Sequence, residues 1–405
     1  MKIAVIVKEF PTLSETFIIN QITGLIDLGH DVDIYSRIKP AVTKCHSDII
    51  EYGLLERTVY LEEVPANKGI RVFKALTRFI MNFHRSPWTL LSSLNVFKYG
   101  KDSLSLNLLY AVMPFAGKKY DIIKCHFGPN GNFGAMLKKM GVGMKLVTMF
   151  HGHDIRKGLQ AGGHIYRPLF KAGDCFLANC DYSYRNLISF GADTQRVLYH
   201  PGGVDLVRFP YRKQANRREH SNPIVVLTVA RLVHEKGLEY GIHAIRKLLE
   251  RNPSLSLIYH IVGEGPLEKS LKALVGELSL SEKVFFLGGM VQKEVLQEMS
   301  RADIFLLPSV EETLGVVLME AQAIGLPVVA TDVGSVDQVL KNGESGYLVP
   351  SRDLDALADK LMYLIEHRDM WPQMGRYGRE FIEKNFDIKK LNKRLVEIYQ
   401  GLLAQ

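Results

Sequence analysis

The chain has 405 residues, of which 47% are hydrophobic and 23% charged, and a formal net charge of +8. That length suits two domains of roughly 200 residues each, and the mix excludes a disordered or fibrous chain. No run reaches the ~18 apolar residues that span a bilayer, and the opening MKIAVIVKEFP is too short in apolar residues for a secretion signal, so a cytoplasmic protein is expected. Cys45, Cys125, Cys175 and Cys180 form no C-x-x-C pair and read as reduced thiols. The charge is uneven. Residues 1–200 carry 25 Lys and Arg against 16 Asp and Glu, whereas residues 201–405 carry 26 against 27. The first half is therefore expected to meet something anionic.

In chain order, buried strands are expected at 3–7, 31–36, 121–127, 145–150 and 174–180, with a first helix from Ser14 to Leu28. Five more are expected at 224–230, 255–263, 283–289, 303–309 and 326–332. Their apolar runs are continuous rather than alternating, as in parallel strands covered on both faces by helices. The turn-rich PGGVD at 201–205 and the polar, basic stretch 208–223 mark a boundary. The domains expected are 1–200, a linker 201–223, a second domain 224–386 and a last helix within 387–405 that packs on the first domain. Ligands of doubly wound sheets bind beyond the carboxyl ends of the strands, so a cleft between two such domains is the expected site.

Residues 66–101 stand apart, with seven Lys or Arg and no acid, interleaved with Phe73, Leu76, Ile80, Trp88 and Phe97. Two readings are open: a basic amphipathic element on an anionic membrane surface, or a surface helix whose aromatics enter the core.

The chemistry concentrates between Arg231 and Glu320. Arg231 follows a strand, and Lys236 stands where a helix begins, a natural diphosphate site because the helix end favours negative charge. Gly263-Glu264-Gly265-Pro266 closes the next strand, where glycines allow a backbone to approach a ligand closely. Its third dinucleotide-motif glycine is missing, which makes it weak evidence for NAD, and the turn after the first strand, VKEFPTLSE, has no Gly-rich motif, which argues against NAD. Glu312 and Glu320 would lie roughly 12 Å apart along one straight helix. That exceeds the ~5–9.5 Å of hydrolytic carboxylate pairs and suits two ends of an extended ligand, with the amides of Leu314, Gly315 and Val316 facing phosphate between them.

These residues, inside LPS…LGVVLMEA…GLPVVATDVG at 307–334, resemble glycosyltransferase family 4, retaining enzymes of the GT-B architecture, in which two doubly wound Rossmann-like domains face across a cleft. FPTLSETF (10–17), HFGPNG (126–131) and FHGHDI (150–155) are similar to the bacterial exopolysaccharide branch, the colanic-acid enzymes in particular. The resemblance implies that Arg231 and Lys236 hold the donor diphosphate. It implies that Glu320 meets the ribose and Glu312 the sugar hydroxyls, while Gly263 to Gly265 lie by the nucleoside. It also implies that His151 faces the reacting sugar. Glu15, Thr16, His126 and Asp154 are the candidate acceptor contacts. One departure stands out: the family usually has an aromatic where this chain has Leu314, after Thr313.

The activity so implied is transfer of a hexose from a nucleotide sugar, with UDP as the implied nucleotide, to a lipid-linked saccharide at the inner membrane face. No metal is expected to be required, and no nucleic-acid partner is expected. The alternatives are a nucleotide-sugar epimerase of the same fold and a non-catalytic sugar-nucleotide-binding subunit.

Overall fold

The structure, a computed structural model, describes residues 1–12, 15–40, 46–212 and 223–405. Ser14, Cys45 and the 213–222 part of the expected linker therefore lie outside the described residues. The chain divides into two compact units, 1–179 with 183–200 and 392–405, and 180–182 with 201–391.

The first unit holds a seven-stranded sheet of β1 (Lys2–Glu9), β2 (Asp31–Ile38), β3 (Thr58–Tyr60), β4 (Tyr120–His126), β5 (Gly143–Phe150), β6 (Cys175–Ala178) and β7 (Val197–Tyr199). Its spatial order is β3-β2-β1-β4-β5-β6-β7, and every pairing is parallel. The order reverses between β1 and β4, which makes that gap the topological switch point. Ile3, Val5, Ile122, Val147 and Cys175 on one face of the sheet are sealed by Ile18, Ile19 and Ile22 of the helix Thr16–Asp27. Leu395 and Tyr399 of the last helix, Ile388–Leu403, complete that layer.

The second unit holds β8 (Ile224–Val229), β9 (Leu257–Val262), β10 (Val284–Gly288), β11 (Ile304–Leu307), β12 (Val328–Thr331) and β13 (Gly346–Val349). The order is β10-β9-β8-β11-β12-β13, again all parallel, with the switch between β8 and β11. Each sheet is thus a doubly wound Rossmann-like layer.

All ten expected strands are present. The three that escaped the pattern, β3, β7 and β13, are edge strands of three or four residues. At an edge only part of each run is buried, as the half-exposed residues of all three show, so no continuous apolar stretch marks them. Residues 201–212 differ from a free linker. Val204 N–H donates to the Phe386 carbonyl at 2.8 Å, Phe209 is buried, and its carbonyl accepts from Arg379 at 2.6 Å. Their polar neighbours hid an anchored segment.

The 66–101 segment forms the helices Lys68–Phe83, Pro87–Ser93 and Val96–Tyr99. Asn67 caps the first by accepting from the Ile70 amide. Its amphipathy is turned around. Arg71 donates inward to the Pro65 carbonyl at 2.8 Å, and Arg78 pairs with Glu62. Phe73, Leu76 and Ile80 are exposed, as are Trp88, at 83%, and Phe97. The aromatics of this face are not in the core. Among the described residues no helix is long and apolar enough to cross a membrane.

Candidate active site

In the second unit the loops following β8, β9, β10 and β11 are knitted into one platform. The Leu232 amide donates to the Glu264 carbonyl at 2.9 Å, and the Gly263 amide to the Gly288 carbonyl at 2.9 Å. Val310 and Glu311 both donate to the Glu235 carbonyl at 3.0 Å. Arg231 sits exposed just past β8, and a 3-10 turn at His234–Lys236 then leads into the helix Leu238–Arg251. The helix thus starts two residues after Lys236, which hangs from the turn before it.

Lys236 forms an ion pair with Glu312, both side chains being largely buried, at 18% and 13% exposure. The other carboxylate oxygen, Oε1, accepts from the Thr313 amide at 3.1 Å. Glu312 lies in the loop after β11, and the helix Val316–Ala323 begins beyond Gly315. The first amides of a helix have no partner within it, so those of Val316 and Val317 are placed for an anion. Glu320 is in that helix, half-buried, and desolvation pushes its carboxyl up to about 7 against the opposing hydrogen bond of the Gln292 side chain. Gln292 opens the helix Gln292–Arg301 after β10. It was missed because a lone Gln at a helix start carries no signal of its own.

Two expected details change. A Cβ on Gly263, whose φ is +142°, would meet the Ala230 carbonyl oxygen at 1.9 Å, and one on Gly265 the Leu232 carbonyl oxygen at 2.4 Å. The close approach these glycines permit is of one loop backbone to another. Glu264 is exposed, and its carboxylate accepts from the Gly289 amide at 3.1 Å, a second tie to the loop after β10. Leu314, in place of the aromatic, is 2% exposed and packed with Leu318, Val336 and Val339. Its side chain belongs to the core, and only its backbone is left for a ligand.

The first sheet gathers a second cluster at its own strand ends. His126 closes β4, and His151 follows β5. Their rings stack with centroids 5.5 Å apart, and His126 Nδ1 lies 3.3 Å from His151 Nε2. Phe17 and Phe127 each stand 4.7 Å from the His151 ring. Glu15 and Thr16, both half-buried, begin the helix that carries Phe17. Burial, reinforced by the Lys124 charge, holds His151 down to about 3 and His126 well below its usual range, so both are neutral at pH 7.

Asp154 is fully buried. Its Oδ2 accepts from the Gly128 amide at 2.8 Å and its Oδ1 from the His151 amide at 2.7 Å. With both oxygens so engaged it acts as a clasp holding the β4 and β5 loops together, rather than as an open acceptor contact. Within His151-Gly152-His153-Asp154, His153 is exposed while His151 and Asp154 are buried. Among the described residues no three His, Cys, Asp or Glu side chains are placed to share a metal.

Lys124 lies inside the apolar strand β4, where the sequence pattern alone assigns it no role. It is 1% exposed, burial brings it down to about 7, and its Nζ has no hydrogen-bond partner among the described residues. A lysine amid DIIKCHF was itself a signal, since Lys is almost never fully buried without cause.

Residues 14–208 match the profile described as "Glycosyltransferase Family 4", and residues 211–381 the one described as "Glycosyl transferases group 1". The putative colanic acid biosynthesis glycosyltransferase WcaL of Salmonella typhimurium is 33% identical, over 99% of this chain and 100% of its own. The chain belongs to glycosyltransferase family 4. It is a hexosyltransferase. The amylovoran biosynthesis glycosyltransferase AmsK of Erwinia amylovora is 32% identical, over 99% of this chain and 100% of its own. Among solved structures, Anabaena HepE in complex with UDP-glucose matches with a TM-score of 0.75 at 18% identity, over 99% of this chain and 100% of that one. A Rickettsia africae glycosyltransferase matches at 0.70 and 19%, over 99% and 98%. At these identities the structures establish the fold, and the two Rossmann-like units are those of the GT-B class.

Proposed function

We propose that this glycosyltransferase moves a hexose from a UDP-sugar, with retention of configuration, to a lipid-linked saccharide in exopolysaccharide synthesis. The observation that carries the reading is the gathering of Arg231, Lys236, Glu312 and Glu320 on loops and a helix that follow the adjacent strands β8 and β11, at the switch point. Arg231 and Lys236, with the amides of Val316 and Val317, supply positive potential where the departing diphosphate gains charge. Glu320 takes the ribose hydroxyls and Glu312 the sugar. The leaving phosphate accepts the proton of the attacking hydroxyl, so no protein base is needed, and neutral His151 offers a hydrogen bond to the transferred sugar.

UDP is favoured because related folds are recorded with it, such as HepE with UDP-glucose and TarM with UDP. More distant relatives are named as GDP-mannose-dependent. Thermal-shift screening against UDP-, GDP- and ADP-sugars separates them, because only a ligand of the folded state raises its melting temperature. Lys236→Ala and Arg231→Ala are each expected to lower transfer about 10²–10³-fold while staying folded, the exposed Arg231 with the melting temperature kept and Lys236 with a lowered one, since Glu312 loses its counter-charge. Wild-type rates in both variants would sink the assignment.

The colanic-acid and amylovoran relatives support an exopolysaccharide role, and the exposed apolar face of residues 68–104 supports an acceptor met at a bilayer. Phe73, Leu76, Ile80, Trp88 and Phe97 enter the headgroup boundary of an anionic membrane while Lys68, Lys74, Lys98 and Lys101 attract its charge. In flotation with phosphatidylglycerol vesicles at low salt, the wild type is expected to float and Trp88→Ser with Phe97→Ser to remain below. Equal recovery of both forms from the vesicle layer counts against this contact.

A further inference from the structure

The Lys236–Glu312 ion pair joins two groups that the proposed reading assigns to different parts of one ligand, the diphosphate and the sugar. The pair is largely buried, and Glu312 is further held by the Thr313 amide. Any ligand phosphate that draws Lys236 away leaves the Glu312 carboxylate without its counter-charge. An uncompensated buried charge is costly, more so than the pair is favourable. An intact nucleotide sugar avoids that cost, because its sugar hydroxyls donate to the vacated carboxylate. A free nucleoside diphosphate supplies no such donors.

We infer that Glu312 is a specificity-determining residue that makes the site discriminate against its own product, the free nucleoside diphosphate, by competing for Lys236. Loss of the sugar by transfer restores the ion pair and expels the diphosphate. The inference rests on the donor-site reading above and adds a sign that reading does not carry: removing the Glu312 charge strengthens the binding of one ligand.

The test is calorimetric titration of the full chain with UDP and UDP-glucose, or with the corresponding GDP or ADP pair where that pair binds wild type more tightly. Glu312→Gln is expected to bind the free diphosphate about tenfold more tightly than wild type. Its affinity for the intact donor is expected to be unchanged or lower, so the preference for donor over product collapses. Lys236→Met is expected to weaken both ligands. Product binding in Glu312→Gln no tighter than wild type, with Lys236→Met still weakened, overturns this inference alone. Wild-type product binding in Lys236→Met, or no binding of any of the three pairs by wild type, overturns the donor-site reading and the inference together. Melting curves establish that each variant is folded. Should Glu312→Gln fail to fold, Glu312→Asp, whose shorter arm slackens the pair, is expected to show the same direction of change.

Discussion

Both units place their candidate residues past the carboxyl ends of parallel strands at a switch point, yet they do so in opposite electrostatic styles. In the second unit charged side chains are held by partners: Lys236 with Glu312, and Glu264 with a backbone amide. In the first unit the groups are sunk and neutral, His126 and His151 held unprotonated by burial and by Lys124. The contrast follows from the ligand each is proposed to serve. A diphosphate demands fixed cations and helix amides, whereas a saccharide hydroxyl needs only a neutral hydrogen-bonding surface.

That contrast can be broken experimentally, beginning where the expected effect is largest. Asp154→Ala would leave the Gly128 and His151 amides buried and unpaired, at a cost of about 2–5 kcal/mol. The loss should appear in denaturant unfolding and as faster hydrogen exchange around residues 126–128 and 151–155. Donor binding by the second unit should survive wherever the variant is folded. An Asp154→Ala protein as stable as wild type would remove the clasp.

Next in size, Gly334→Ala puts a Cβ on a residue with φ +65° and within 1.7 Å of the Glu312 carbonyl oxygen. The loop carrying Glu312 must move, at a cost of at least ~1–2 kcal/mol from the backbone conformation alone. Diphosphate-sugar affinity should fall while the first unit keeps its exchange pattern. Unaltered donor affinity would show that the position of Glu312 is not critical.

The smallest effect concerns Glu320. Its carboxyl is raised to about 7, above the unfolded value of 4.5. The folded state therefore holds the extra proton, and its contribution is present below about 4.5 and is lost as pH rises through about 7. With water reaching part of this residue, the loss amounts to about 1–2 kcal/mol. Glu320→Gln should flatten the stability–pH curve between pH 5 and 8 by that amount. It should also abolish the strengthening of donor binding expected as the wild-type carboxylate ionises toward pH 8. Identical curves for the two proteins would mean that Glu320 titrates as an ordinary surface acid.

The amino-acid sequence alone determined ten of the thirteen described strands, the parallel doubly wound class, and the string from Arg231 to Glu320. Continuous apolar runs and charged residues at strand ends leave a mark that does not depend on folding. Tertiary structure decided what depends on a neighbour. It turned the apolar face of 68–83 outward by giving Arg71 and Arg78 partners from Pro65 and Glu62. It spent Gly263 and Gly265 on loop packing and sank Leu314 into the core. It also closed Asp154 around two amides and joined Lys236 to Glu312, 76 residues apart. A side chain's type is written in the chain, but whether it faces ligand, bilayer or its own backbone is settled only when distant strands bring its partner beside it.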